Sequence, residues 1–292
     1  MGAGLISEAD SPLSEARRLG GPLYGPADTE EPASDLSGAG MRHSGATPSS
    51  RWQDQAGVAD QEVVILQDRF RGPPTSANGG YACGVIARSI DGAVEVTLRR
   101  PPPLNVRMRL SHLPGGRVLL EDSEGVIAEG APSQLELDIP PTPSLLEVEH
   151  VAPILDQRDH PFPGCFVCGP GRGTRDGLRI FPGLVMGRRL VAGTWRPDIS
   201  LLDDDARWIR PEFVWAALDC PGGWSLFAFG GLGTILLGRL TVRLLLPVSV
   251  GERYVVTGWP IEGDGRRERV GSALFTETGE LVACAKAIWF RK

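Results

Sequence analysis

Short apolar and β-branched runs, each closed by Pro or Gly, fill two stretches of the chain. In the first, VVILQDRF, VEVTLRR, NVRMRLSHL, GRVLLEDSEG and VIAEGAPSQLEL read as strands. Between the first two, the loop RGPPTSANGG leads into YACGVIARSI, small and apolar residues that predict a short helix with Tyr81, Val85 and Ile86 for contact. The second stretch repeats the plan: GLRIFPGLV and RLVAGTWRP as strands, then RPEFVWAALDCPGGWSLFAF as a helical segment. Four more strands follow, TVRLLLPVSV, ERYVVTGWPIEG, RRERVGSALFTETG and ELVACAKAIWF.

Two local matches tie the stretches together. VEVTLRRPPPL is similar to LTVRLLLPVSV, each with Pro closing the run, and EDSEGVIAEG is similar to TETGELVACA, a hairpin turned at Gly. Strand, helix and antiparallel meander, given twice, imply an α+β duplication. The expected organisation is a disordered segment over 1–60, repeats over 61–140 and 165–292, and a proline-rich connector over 141–164. Each helix must pack closely on its sheet, which Ala82, Gly84, Ala87, Ala216 and Ala217 permit.

Composition narrows the function. A net charge of -6 argues against the basic footprint of nucleic-acid binding. The start, MGAGLISEADSPLSEARR, lacks the basic and apolar regions of a signal peptide. Pro221, the glycines and an acid make the apolar stretch around residue 219 a poor membrane span. Five scattered cysteines do not form a secreted disulfide framework, so a reducing cytoplasm fits.

Asp219 is the only charged side chain between Glu212 and Arg239. An unpaired carboxylate buried there is costly and its pKa rises, which marks it as a base, acid or nucleophile. The structural alternative is a cap or a solvent-facing acid.

With CFVCGPGRGTRDGLRIF opening the second repeat and TETGELVACAKAIW closing it, the chain resembles the hotdog-fold thioesterases. The resemblance is clear over about residues 160 to 292 and weaker over 62 to 140. It implies two tandem hotdog folds, each an antiparallel sheet around one central helix, paired within the chain as a pseudo-dimer. In the phenylacetate-pathway branch the helix opens with His-Gly-Gly and carries a catalytic Asp nine residues after the His. That pattern lays Arg210, Pro211 and Glu212 on His-Gly-Gly and Asp219 on the acid. In the first repeat it lays Asn78, Gly79 and Gly80 on His-Gly-Gly and Ala87 on the acid. The resemblance therefore implies one composite site, Asn78-Gly79-Gly80 with Asp219, and a dead mirror site. Asn in place of His, and Pro221 placed to bend or end the helix, depart from the pattern.

The implied activity is hydrolysis of an acyl-CoA or acyl-carrier-protein thioester without a cofactor. Asp219 would act as general base or nucleophile, and the backbone of Gly79 and Gly80 would receive the carbonyl oxygen, with Asn78 or Ser76 capping the helix. Two other readings stand: a hotdog hydratase or dehydratase, which normally wants a His beside the acid, and a non-catalytic acyl-thioester binder. Exposed sheet edges favour a homo-oligomer.

Other constellations read more plainly. Cys165 and Cys168, five and eight residues after His160, make half a zinc site, which Cys220 or Cys284 would have to complete; a tight turn is the expected role, and no metal is assigned. Cys83 and Cys220 are expected as small core residues, and His112 and His150 as surface ones. Trp195, Trp208, Trp215, Trp224 and Trp259 are expected in the core, with an acyl-tunnel wall as the sharper alternative. Arg207, Arg210 and Arg239 are expected in surface ion pairs.

Overall fold

The structure is a computed structural model that describes residues 61–154, 159–205, 207–231, 233 and 235–291. The expected N-terminal segment, 1–60, lies outside the described residues. In chain order the elements are β1 (Gln61–Val64), α1 (Gly79–Ala87), β2 (Ala93–Leu98), β3 (Met108–Leu113), β4 (Arg117–Asp122) and β5 (Gly125–Pro132). Then come α2 (Leu145–Glu149), β6 (Gly183–Leu184), β7 (Val191–Trp195), α3 (Pro211–Gly230), β8 (Ile235–Leu244), β9 (Tyr254–Asp264), β10 (Arg267–Thr276) and β11 (Leu281–Arg291). No helix among the described residues is long and apolar enough to cross a membrane.

All these strands join one antiparallel sheet in the order β1-β3-β4-β5-β2-β8-β11-β10-β9-β7-β6. Outward from the central pair the connectivity repeats: β2-β5-β4-β3-β1 one way, β8-β11-β10-β9-β7 the other. The register of that pair has the same symmetry. Glu95 faces Thr241, whose hydroxyl donates to Glu95 Oε2 at 3.2 Å. These two residues occupy the same position when VEVTLRRPPPL is aligned with LTVRLLLPVSV.

Helix α1 packs against α3, and α3 lies along β9 and β10. The contact depends on missing side chains. A Cβ on Gly84 would sit 2.5 Å from Cα of Glu212, and one on Gly80 would sit 2.5 Å from Asp219 Cβ and 2.7 Å from the Trp215 carbonyl oxygen. Ala82, Gly84, Ala87, Ala216 and Ala217, expected to let each helix approach its sheet, are all buried, and Gly84 meets the other helix. Tyr81 and Phe213 stack across it, with ring centroids 5.8 Å apart.

Three expectations need correction. The first strand stops at Val64 instead of running through VVILQDRF, and Asp68–Phe70 turns as a 3-10 helix. That turn drives the Phe70 ring into the core, stacked on Tyr81 at 4.2 Å. GLRIFPGLV is not a continuous strand. Only Gly183–Leu184 pairs in the sheet, because Leu178 and Ile180 donate their N–H groups to the carbonyls of Phe166 and Val167.

The proline-rich connector has structure of its own. It holds α2, closed at its start by a capping box between Ser144 and Glu147, a Ser-x-x-Glu signal visible in the sequence. Leu145 and Val148 bury its inner face against Leu190 and Val255. Finally, Pro221 does not end α3, which continues to Gly230. A helix proline removes one backbone hydrogen bond. Tertiary packing holds the helix on either side of it: Ser272 Oγ of β10 donates to the Leu218 carbonyl, one residue past the carbonyl that Pro221 leaves unpaired, at 2.6 Å. Strand β9 also comes so close that a Cβ on Gly258 would sit 2.2 Å from the Pro221 oxygen.

Candidate active site

The loop RGPPTSANGG delivers α1 to the site through Asn78. Its backbone N–H donates to the Phe70 carbonyl at 2.8 Å, and its Oδ1 caps α1 by accepting from Tyr81 N–H at 2.9 Å. Capping leaves Nδ2 free to reach α3. There it donates to Asp219 Oδ2 at 2.9 Å, and Gly80 N–H donates to the same oxygen at 2.9 Å. Asp219 therefore lies on the N-terminus of the opposing helix, where unpaired N–H groups favour negative charge.

Asp219 is only 2% exposed. Burial pushes its pKa up to about 7; the Gly80 hydrogen bond opposes that rise, the neighbouring Cys165 adds to it, and the Asn78 bond opposes it. Its second oxygen, Oδ1, is buried and has no hydrogen-bond partner among the described residues.

A cavity of about 990 Å³ opens beside the carboxylate. Asn78, Gly79 and Asp219 line it at the helix contact, and Trp224, Phe227 and Trp289 add aromatic surface. Arg99 and Arg100 also line it, each in an ion pair, with Glu129 and Asp122 respectively. Gly79 is the first residue of α1, and its N–H meets no acceptor among the described residues.

The structure thus brings together Asn78, Gly80 and Asp219, with Gly79 on the same cavity wall. One expectation changes. Gly80 N–H does not stand open for a substrate oxygen, because it is bonded to Asp219; the open donor is that of Gly79. At the mirror position Ala87 supplies no acid. Glu212 is buried and ion-paired to Arg210 at 3.2 Å, and Pro211 has no N–H to offer.

Of the tryptophans, Trp195, Trp215 and Trp259 are buried, Trp208 is half-buried, and Trp224 faces the cavity. Trp289 joins it there although the sequence did not single it out. Arg239 pairs with Glu95, Arg210 with Glu212, and Arg207 lies over the Trp208 ring. His160, distant from Asp219 in sequence, lines the same cavity. Its Nδ1 accepts from Phe162 N–H at 3.0 Å, while Nε2 is buried without a partner among the described residues.

Next to Asp219 the cysteines converge. Cys165 and Cys168 lie on a tight turn, as expected, closed by Gly169 N–H donating to the Cys165 carbonyl at 2.9 Å. A Cβ on Gly169 would lie 2.5 Å from that oxygen, so the turn requires glycine. Cys220 comes from α3 and completes a group whose sulfurs all lie within 4.8 Å of one another. Cys284 belongs to a different core cluster. Hydrogen bonds with Cys168 and Cys220 hold the Cys165 thiol well below its ordinary range. The bond to Cys165, together with burial, raises the thiols of Cys168 and Cys220. No spacing rule links Cys220 to a Cys-x-x-Cys more than fifty residues away, so the sequence alone could not select it over Cys284.

No protein-family profile and no curated protein matches this sequence. Solved structures do match, and they define the chain as a hot dog fold. One is the tesB protein MAP1729c of Mycobacterium avium subs paratuberculosis, with a TM-score of 0.54, 15% identity, and coverage of 80% of this chain and 93% of that one. The acyl-CoA thioesterase II TesB2 of Mycobacterium marinum gives 0.53 at 13% identity, covering 80% and 93%. A conserved protein of unknown function with hot dog fold from Alicyclobacillus acidocaldarius gives 0.55 at 11%, covering 80% and 94%.

Proposed function

We propose that the chain is two hotdog units fused in tandem and that it hydrolyses an acyl-CoA thioester at one composite site between them. The observation that carries this reading is the Asp219 carboxylate, borne by α3 and held by Asn78 and Gly80 of α1 at the wall of a cavity. Two of the similar structures carry thioesterase or tesB in their names, which supports the same class.

The chemistry follows from the two oxygens of Asp219. Oδ2 is committed to Asn78 and Gly80, which fixes the carboxylate's orientation. Oδ1, with no partner, takes the proton of a water as that water adds to the thioester carbonyl; collapse of the tetrahedral intermediate then expels the thiolate. The same oxygen is equally placed to attack the carbonyl directly, giving a mixed anhydride that water opens. In either route the developing oxyanion is stabilised by Gly79 N–H and the positive end of α1.

The test is release of free thiol from a panel of acyl-CoAs. Asp219→Asn keeps an acceptor for Asn78 and Gly80 but loses the base, so turnover falls by about 10²–10⁴. Gly79→Pro removes one N–H at the first helical position, which Pro211 occupies in α3, and its Cβ, 2.7 Å from Leu237 Cδ2, displaces that side chain. Turnover should fall there with the helix intact. Near-wild-type thiol release in a folded Asp219→Asn protein rejects the assignment. Saturable acyl-CoA binding without thiol release points to a binder, and loss of enoyl absorbance without thiol release points to a hydratase.

A further inference from the structure

We propose that Cys165, Cys168 and Cys220 bind one thiophilic divalent cation of the zinc type, with the fourth position left to a water from the cavity that all three line. The three sulfurs lie within 4.8 Å of one another, and the Cys165 and Cys220 sulfurs are 3.9 Å apart. Zn–S bonds of about 2.3 Å in a tetrahedron place sulfurs ~3.8 Å apart. The triad is therefore near the spacing that one ion imposes, and well beyond disulfide length; all three cysteines are free.

Burial and chemistry agree with the spacing. Three converging sulfurs are an unusual way to fill a core, because thiols offer each other only weak hydrogen bonds. His160 lines the same cavity wall but is not a donor to the ion: its Nδ1 accepts from Phe162 N–H, so the neutral ring carries its proton on Nε2, and its nitrogens do not lie within 4.8 Å of all three sulfurs. Three protein donors with the fourth position left to a water is an arrangement zinc adopts. An ion there ties the turn at 165–168 to α3 at the residue following Asp219, so its role is to position the catalytic carboxylate.

The proposal is tested on the full chain, stripped of metal by a chelator under reductant and titrated with Co(II). One equivalent is expected to bring up a thiolate-to-cobalt charge-transfer band with tetrahedral d–d bands, and one equivalent of Zn(II) is expected to abolish both. Cys168→Ser should weaken the charge-transfer band and lower the affinity, while Cys284→Ser should change neither. Cobalt binding by the wild-type chain without a charge-transfer band overturns the site, and this arm needs no variant to fold. None of these readouts depends on hydrolysis, so the outcome is separable from the proposed activity.

Discussion

Asp219 shows what one residue carries. Its carboxyl is buried among apolar side chains with hydrogen bonds, among the described residues, to only one of its oxygens. A folded-state pKa raised to about 7 means the folded chain binds this proton more tightly than the unfolded chain does. The resulting stability is complete below the unfolded value, about 3.9, and is lost as pH rises through 7. For a fully buried group that difference corresponds to roughly 4 kcal/mol. Asp219→Asn removes that loss while keeping an oxygen for both donors. In chelator-treated protein the variant should melt above wild type at pH 8, with a smaller gap at pH 5. A variant that melts lower at both pH values would contradict this account of the burial. The sequence exposed Asp219 because a charge stands out in an apolar run. It left Cys220 level with Cys284 as a partner for Cys165 and Cys168, and it did not expose Trp289, since neither Cys220 nor Trp289 is unusual in its own neighbourhood.

At the scale of elements, the site depends on how closely α1 and α3 approach. Asn78 and Gly80 reach Asp219 only because Gly80 and Gly84 present bare backbone to α3. Gly84→Ala separates two opposing effects. Alanine gains about 1 kcal/mol of helix propensity over glycine, whereas the added Cβ would lie 2.5 Å from the Cα of Glu212, where backbone has to move. Overpacking of that kind costs about 1–3 kcal/mol, so the variant should be net destabilised by chemical denaturation and should lose activity as the helices part. A more stable Gly84→Ala protein would show that the contact yields. Element limits were less legible than element types. VVILQDRF has the composition of a strand, yet Phe70 is recruited by Tyr81 and the chain turns early. RPEFVWAALDCPGGWSLFAF continues as one helix through Pro221 because β9 and β10 hold it from outside.

Across the whole molecule, the two sides of the sheet repeat one connectivity, but the residues at the two helix contacts differ. One contact carries Asn78, Gly80 and an acid; the other carries an Arg210–Glu212 ion pair and Ala87. Ala87 is buried, 4% exposed, so an acid placed there is taken out of water. Ala87→Asp should therefore destabilise the protein by about 3 kcal/mol or more and add no thiol release, read by denaturation and by the acyl-CoA assay. A stable Ala87→Asp protein with raised turnover would show a second competent site.

What the sequence determined by itself is the repeated order of strand, helix and meander, and the isolation of one acid. Both follow from local composition: β-branched runs and Pro–Gly punctuation need no distant partner to be read. The tertiary structure decided what the acid touches. It committed Gly80 N–H to Asp219 and left Gly79 on the cavity wall, carried α3 past Pro221, and gathered Cys165, Cys168 and Cys220 beside the carboxylate. These outcomes depend on the crossing of two helices and on the pairing of β2 with β8. Both join residues more than 130 positions apart, and no local pattern encodes such a distance.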